Sequence, residues 1–517
     1  MKFWRPAAAA GLVGSAVVTG AMAIVHTAVP SVPFLPLALA QAVVKAAPGG
    51  LATYFIERLG HWAIRLAVVG TLVAFLASGA FLGLLIPALT AGSTGRRLAA
   101  GALSFVPMWV LSVLIYPTPA ESVGRGAFAA MSLPIDLAGG AAASWTYARL
   151  SAAPATQATD LSRRYVLRAL WWGVLGVLVG AADLGRLLYR RPDPGRTTLV
   201  LPDLMRVLRP PEVPADRAFA QVAGLTPEVT SNESFYVVDE EIIDPDIDPD
   251  TWRLTVGGVV GRPFGLTYEE LKRLPAVERF QTLECISNTI GGDLISTAKW
   301  VGVPMPLVLN RAGVRSNAVE VVLRAAGGYT ESLSVEQAMD QSTLLAIGMN
   351  DRVLPRAHGF PVRVLSVGTY GMKNPKWLVG MEVVDRPYIG YWEQRGWSKP
   401  ALVKTMSRID VPRSGSQVRE TVTFAGVAFA GDRGISRVEV STDGGKTWTP
   451  AELETTLSPL TWRRWLLTWG GSQLGGQSGI LVRAYDGQGL LQTPKHAAPH
   501  PDGASGYDAI TVRDESG

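Results

Sequence analysis

The chain begins with long, unbroken apolar stretches and ends with short alternating ones, and the character changes near residue 195. Four stretches precede residue 150: Ala7–Val29, Leu66–Leu89, Leu98–Tyr116 and Gly126–Tyr147. As a helix, each covers the roughly 30 Å hydrocarbon core of a bilayer. A fifth runs from Leu170 to Tyr189, while Pro33–Ala47 is apolar but broken by Pro36, which suits an interfacial piece or half of a further span. The pattern predicts a membrane domain of about five transmembrane helices over residues 1–195.

Beyond Arg196 the chain reads as globular. Arg209-Pro210-Pro211-Glu212-Val213-Pro214 reads as a stiff linker, since closely spaced prolines favour extended chain. Trp252–Val260 alternates like a strand and ends in a glycine turn, and Leu266–Leu271 carries a capping box, with Thr267 as N-cap and Glu270 three residues on. From Val418 the alternation is denser: Val418–Phe424, Ile435–Ser441, Arg463–Trp469 and Gly479–Tyr485 read as strands. Asp443-Gly444-Gly445-Lys446 is a hairpin signal. Short strands with frequent turns predict a β-sandwich over residues 409–517.

Charge follows the same division. Residues 1–200 hold 16 Lys/Arg against 6 Asp/Glu, while the whole chain holds 48 against 43, so the remainder is net acidic by five. The basic excess caps apolar spans and forms no stripe, so nucleic acid is not an expected partner. With the N-terminus inside, Lys2, Arg5, Arg96, Arg97, Arg149, Arg163, Arg164 and Arg168 fall in the cytoplasm; Lys45, Arg58, Arg65, Arg125, Arg186, Arg190 and Arg191 fall opposite. Five spans then place the globular part outside, at the cell membrane. Ser162-Arg163-Arg164-Tyr165-Val166-Leu167-Arg168 looks like a twin-arginine export signal, a route for folded, cofactor-loaded proteins, and it also reads as a positive-inside anchor. Haem in the membrane part needs paired histidines facing the bundle interior; His26 and His61 are the candidates, and an anchor is the preferred reading.

The single cysteine, Cys285, excludes an intrachain disulfide, an iron–sulfur cluster held by several cysteines of this chain, and a zinc site with several Cys ligands. Alone, it reads as an inert buried thiol or as a nucleophile paired with His358. Its surroundings say more. Thr282-Leu283-Glu284-Cys285-Ile286-Ser287-Asn288 is followed by Trp300-Val301-Gly302-Val303-Pro304. Further on come His358-Gly359-Phe360-Pro361-Val362-Arg363 and Asn374-Pro375-Lys376-Trp377-Leu378. These resemble, in order and spacing, the cofactor domain of the sulfite oxidase family. Gly434-Ile435-Ser436-Arg437-Val438-Glu439-Val440-Ser441, with the hairpin after it, resembles the immunoglobulin-like dimerisation domain of the same family.

The resemblance implies an α+β molybdopterin domain over residues 196–408, then an immunoglobulin-like sandwich through which two copies pair. It implies a mononuclear molybdenum on a pterin dithiolene with a terminal phosphate. Cys285 is the implied metal ligand, which suits the affinity of soft thiolates for such metals. His358, Arg363, Asn374, Pro375 and Lys376 are the implied cofactor contacts, with Asn232 and Tyr236 where related bacterial members begin theirs. Tyr329 aligns with the family's active-site tyrosine, and a structural tyrosine fits equally well there. Arg suits a phosphate because its planar fork gives two parallel donors.

Two departures stand out. Val238 and Thr289 occupy positions where sulfite oxidases carry the arginines that hold their oxyanion substrate. The expected activity is oxygen-atom or two-electron transfer on a small oxyanion or sulfur compound, with electrons exchanged through a separate carrier. The rivals are a sulfoxide reductase of the methionine sulfoxide type and a metal-free, membrane-tethered binding module.

Overall fold

The structure, a computed structural model, describes residues 4–28, 32, 34–48, 51, 54–55, 62–86, 94–115, 125–151, 207–208, 218–239, 241, 244–418, 421–470 and 477–514. The expected fifth span, the twin-arginine segment and the proline linker lie outside these residues. The chain divides into two compact units, one built mainly from residues 1–47 and 59–191 and the other mainly from residues 192–239 and 244–517.

The first unit is helical: α1 (Trp4–Ala28), α2 (Leu35–Ala46), α3 (Trp62–Gly83), α4 (Thr94–Ser104), α5 (Val106–Ile115) and α6 (Arg125–Ser151). Three segments, Pro6–His26, Leu66–Gly83 and Gly126–Arg149, are long and apolar enough to cross a membrane. The stretch expected as one span from Leu98 to Tyr116 is instead two helices meeting at Phe105. Pro107 is the cause: it has no N–H to continue the ladder, and the chain tightens to Phe105 N→Ala102 O (3.3 Å) and Met108 N→Phe105 O (3.1 Å). Pro36 does not break its segment. It sits in the first turn of α2, where a missing N–H costs nothing.

Glycines set how closely these helices approach. A methyl on Gly11 of α1 would overlap the backbone of Gly79 in α3, and one on Gly140 of α6 would overlap Gly101 in α4. Helices with little hydrophobic drive to associate in lipid gain van der Waals contact and hydrogen bonds through such small residues. Thr71 Oγ1 donates to Pro36 O (3.0 Å) and Trp109 Nε1 to Ala129 O (3.1 Å).

Among the described residues the second unit holds four sheets. One has the order 207–208, Ala276–Glu284, Ile295–Pro304, Leu344–Met349, Arg363–Leu365, with Arg352–Val353 paired to Leu344–Met349. Another has the order Phe264–Thr267, Arg253–Gly258, Leu378–Val384, Glu320–Ala325, Thr330–Ser334. They share a core that includes Val301, Val303, Leu345 and Ile347 from the first and Leu254, Val256, Leu323 and Met381 from the second. The first sheet is covered on its other face as well, by a cluster containing Phe235, Leu283, Ala298 and Trp300. Burial on both faces explains why Ile295–Pro304 is almost continuously buried and does not alternate. The capping box at Thr267 forms as expected, with Glu270 N→Thr267 Oγ1 at 3.0 Å.

The C-terminal residues form two facing sheets. The first is Met406–Val411, Thr421–Phe429, Arg463–Gly470 and Glu452–Leu453; the second is Gln417–Val418, Asp508–Asp514, Gln477–Asp486, Ile435–Ser441 and Thr449–Pro450. Phe424 and Trp465 from one meet Val438, Val440 and Val482 from the other in a common core. In the hairpin, Gly444 and Gly445 have φ of 74° and 91°, which is the reason for glycine at both positions. Val418 belongs to the short strand before the predicted one, so the strand proper begins at Thr421.

The glycine contacts give a direct test in the full chain. Gly79→Val should overpack the α1–α3 contact at a cost of about 1–3 kcal/mol, lowering the thermal midpoint of the detergent-solubilised protein by several degrees. Gly70→Val on the same helix, where no atom lies within 4 Å of a would-be Cβ, should leave it unchanged. Equal midpoints for the two variants would refute the glycine contact.

Candidate functional site

Cys285 follows directly on the strand Ala276–Glu284 and begins the loop that returns as Ile295–Pro304. The loop is clamped at its base. Cys285 N donates to Leu294 O (2.9 Å), Asn288 N to Cys285 O (2.9 Å) and Leu294 N to Asn288 Oδ1 (3.0 Å). Asn288 Nδ2 donates to Glu284 Oε1 at 3.0 Å. The thiol is buried, with Ser287 Oγ 2.9 Å from Sγ. Burial pushes the thiol up, against the opposing pull of the Ser287 hydrogen bonds.

Around this loop the fold gathers the distant motifs. His358 lies on a single turn of 3-10 helix, Arg356–His358, that ends in left-handed Gly359 (φ 109°). A Cβ on Gly359 would stand 3.0 Å from the Cβ atoms of both Arg363 and Lys376, so a side chain there would push these segments apart. His358 Nε2 donates to Asn232 O at 2.8 Å, and its ring meets Phe235 edge-on at 5.3 Å. Asn232 is held in turn by Asn350 Nδ2→Asn232 Oδ1 (2.8 Å). Asn374 accepts from Ser366 N (2.6 Å) and donates to Tyr370 O (3.0 Å), and Pro375 O accepts from Val364 N (2.9 Å).

The segment Tyr370–Lys373 backs the cysteine. A Cβ on Gly371 would lie 3.9 Å from Cys285 Cα and 2.8 Å from Tyr236 Oη. Tyr236 stacks on Phe235 (5.4 Å), and burial, foremost, keeps its hydroxyl protonated. Tyr329 stands one step back: its hydroxyl donates to Met372 O at 2.7 Å. Lys373 is buried between Glu331 (2.7 Å) and Glu393 (2.6 Å), which pins this turn to the neighbouring sheet. Burial pushes the Glu331 carboxyl up, against the opposing pull of Lys373.

The two expected cofactor cations differ sharply. Lys376 is ion-paired with Asp239 and donates to Ala357 O (2.9 Å). Arg363 is buried over the Trp300 ring (5.3 Å), and its hydrogen bonds go to two backbone carbonyls, His358 O (3.2 Å) and Asn374 O (3.3 Å). Its Nε has no partner. Burial pulls the guanidinium down to about 10. A buried cation whose partners are neutral is costly, and an anion at its side offsets that cost. Among the described residues no group of three or more His, Cys, Asp or Glu could hold a metal ion. An anionic pterin dithiolene would bring the negative charge beside Arg363 and further sulfur ligands to a metal at Cys285, so the residues present fit the group.

Two contributors carried little sequence signal. Asp239 neutralises Lys376 from 137 positions away, and nothing local marks it. Glu284 sits inside an apolar run, and that placement was the available clue. Its Oε2 is buried and unpartnered, and burial pushes it up to about 7.

Glu284 sets a pH dependence. Its folded-state value lies above the ordinary 4.5, so the folded chain binds more protons between about pH 4.5 and 7. Stability contributed by the neutral carboxyl is present below that window and is lost as pH rises through it, by roughly 3 kcal/mol. Glu284→Gln, which mimics the neutral form, should raise the thermal midpoint of the metal-free chain at pH 8 and change it little at pH 5. An equal change at both pH values would show that the carboxyl does not titrate there.

Residues 241–392 match the oxidoreductase molybdopterin binding domain, and residues 401–498 match the Mo-co oxidoreductase dimerisation domain. Mitochondrial sulfite oxidase of Rattus norvegicus is 32% identical over 270 residues, which is 44% of this chain and 49% of that protein. Sulfite oxidase of Gallus gallus is 31% identical over 322 residues, covering 52% of this chain and 69% of that one. The NADH nitrate reductase of Brassica napus is 30% identical over 299 residues, 46% of this chain and 33% of its own. The chain thus spans about half the length of the mammalian relatives it matches. With both domains matched in sequence order, and with a relative so largely covered, the chain belongs to the sulfite oxidase family of molybdopterin oxidoreductases.

Proposed function

We propose that this protein is a membrane-anchored molybdenum oxidoreductase that transfers an oxygen atom, or two electrons, to or from a small oxyanion or sulfur compound. The observation that carries it is the buried Arg363 guanidinium, paired only with carbonyls, in the same domain as the clamped loop of the sole cysteine. Cys285 would ligate the metal as a thiolate, and Arg363 would meet the anionic end of the pterin. His358, Asn232, Tyr236 and the Asn374-Pro375-Lys376 segment would shape the cradle, with Lys376 adding a cation already half-compensated by Asp239. Tyr329 holds the Met372 carbonyl and so positions the turn behind Cys285. When bound, the cofactor supplies the two-electron couple.

In the oxidative direction, substrate and water yield the oxygenated product, two protons and two electrons. A separate carrier takes the electrons. Anchoring is supported by the three membrane-length helices and by exposed Val73, Phe81, Leu103 and Leu114 on that unit. The arginine distribution supports a globular part outside the cytoplasm. The facing C-terminal sheets support an immunoglobulin-like sandwich, and the dimerisation-domain match supports pairing through it. The second reading, a sulfoxide reductase, is favoured by Val238 and Thr289, which leave the oxyanion-binding arginines of the resembled enzymes without counterparts at those positions.

Elemental analysis of the detergent-purified full chain, from cells that make the cofactor, decides the matter. About one molybdenum per chain is expected. Cys285→Ala should lose the metal or change its spectrum, and lower turnover by more than about 100-fold, beyond the loss of an outer-shell group. Arg363→Gln should weaken pterin retention on gel filtration by roughly tenfold or more, the size of one charged hydrogen bond lost. A folded, metal-free wild type would leave a tethered binding module.

A further inference from the structure

Two carboxyl groups and a single ammonium are buried together behind the cysteine. Lys373 closes the turn Gly371–Lys373, and its Nζ donates to Glu331 Oε1 (2.7 Å), Glu393 Oε1 (2.6 Å) and Ser332 O (3.3 Å). The side chains of Lys373, Glu331 and Glu393 are 5%, 0% and 4% exposed. With all three ionised, one negative charge is left over, and a buried charge without a partner is costly. The hydrogen bonds show the same shortage. Glu331 Oε1 also accepts from Ser332 N (2.7 Å), and Glu393 Oε2 accepts from Gly390 N (2.8 Å). Glu331 Oε2 is buried and has no partner among the described residues. Gly390 closes over this carboxyl: a Cβ there would stand 2.8 Å from Oε1 and 3.1 Å from Oε2.

The other charged and titratable groups on the elements packed here are engaged elsewhere. Glu320 on the neighbouring strand pairs with Lys399 (2.6 Å) and accepts from Ser332 Oγ (2.7 Å). Arg324 pairs with Glu382, and Arg395 lies over the Tyr391 ring (3.6 Å) and donates to Tyr391 O (2.7 Å). Tyr388 Oη donates to Thr330 Oγ1 (2.9 Å). A proton on Glu331 cancels the excess charge, in line with the upward push of burial on this carboxyl. The cluster reaches the site through one turn of backbone. Gly371, two residues before Lys373, faces the cysteine, with a would-be Cβ 3.9 Å from Cys285 Cα. Met372 O accepts from the Tyr329 hydroxyl (2.7 Å), and Asn374 O, one residue after Lys373, accepts from Arg363 Nη2 (3.3 Å).

We propose that Glu331, Lys373 and Glu393 are a proton-holding positioning group of the cofactor site: with one shared proton the cluster is neutral and the site keeps its anionic cofactor, and loss of that proton to water sets a negative charge behind Cys285 and Arg363 and loosens it. This rests on the oxidoreductase reading above and adds a control of the same site. None of the three side chains has to touch the cofactor. A unit charge within about one helical turn, at an effective dielectric of about 20, changes the affinity of a charged ligand on the order of tenfold. The sign is fixed by the direction of the Glu331 shift. Its folded-state value lies above the ordinary carboxyl value, so the neutral cluster is present in acid and is lost as pH rises.

The test follows release of the pterin from the molybdenum-loaded, detergent-purified full chain, by the fluorescence of the freed pterin after gel filtration at pH 5 and pH 8. Glu331→Gln fixes the cluster in its neutral form. We expect it to release pterin as the wild type does at pH 5, and about tenfold more slowly than the wild type at pH 8. Glu284 titrates in both proteins, so the ratio of variant to wild type isolates the cluster. Lys373→Met, which removes the cluster's cation, should speed release most at pH 8, and Lys373→Arg should restore it. If Glu331→Gln fails to fold, Glu393→Gln makes the same change of charge and carries the same expectation. In the metal-free chain, the thermal midpoint of Glu331→Gln should exceed that of the wild type at pH 8 and match it at pH 5. A release ratio that is the same at both pH values, as the loss of a purely structural ion pair would give, overturns this inference and leaves the oxidoreductase reading standing. A wild type that takes up no molybdenum overturns both.

Discussion

The cofactor domain is organised around a cation that it buries without a carboxylate. Arg363 starts the edge strand Arg363–Leu365, lies over Trp300 and reaches only the carbonyls of His358 and Asn374. A guanidinium removed from water loses solvation that two carbonyls do not replace. The fold tolerates this because the surrounding segments are held by other means: Gly359 lets the His358 turn close onto Lys376, and Asn374 is tied to Ser366 and Tyr370. The unmet charge is the mark of a ligand that brings its own negative charge.

The cysteine loop depends on the C-terminal sheets as much as on its own strand. Thr282 N donates to Leu460 O (3.0 Å), and Trp462 N to Thr282 Oγ1 (2.8 Å), so the strand leading to Cys285 is stitched to the loop before Arg463–Gly470. Arg408 reaches Gly292 O from the other side of the loop. The cluster of Ile286, Tyr370, Trp397, Val427 and Phe429 completes the contact. The two parts of this unit thus share one interior, and the C-terminal part contributes to the shape of the site itself.

Much of this was legible in the residues. The glycine-turn and capping signals at Gly258, Thr267 and Gly444–Gly445 are local, so they formed where the pattern placed them. Other readings failed where a neighbour decided the outcome. Pro36 was read as a breaker but begins a helix, because one residue of register separates a first turn from an interior position. Leu98–Tyr116 reads as one uninterrupted helix, and the structure breaks it at Phe105, just before Pro107. Hydropathy, which sums over a window, does not register a single missing N–H.

The sequence by itself determined the order of parts: apolar helices, then motifs spaced like those of one enzyme family, then short strands. These follow from period, composition and local turn chemistry, which act over a few residues. Only the tertiary structure decided which polar groups remain unspent. Arg363 and Lys376 look alike as cations in the sequence, but Asp239 arrives to neutralise one, while among the described residues no carboxylate bonds the other. Among the described residues the Trp397 N–H finds no partner, whereas those of Trp252, Trp300 and Trp377 bond carbonyls. A hydrogen-bond partner can come from any point along the chain, so satisfaction is a property of the folded contacts, and only there does an unmet donor or charge reveal a site.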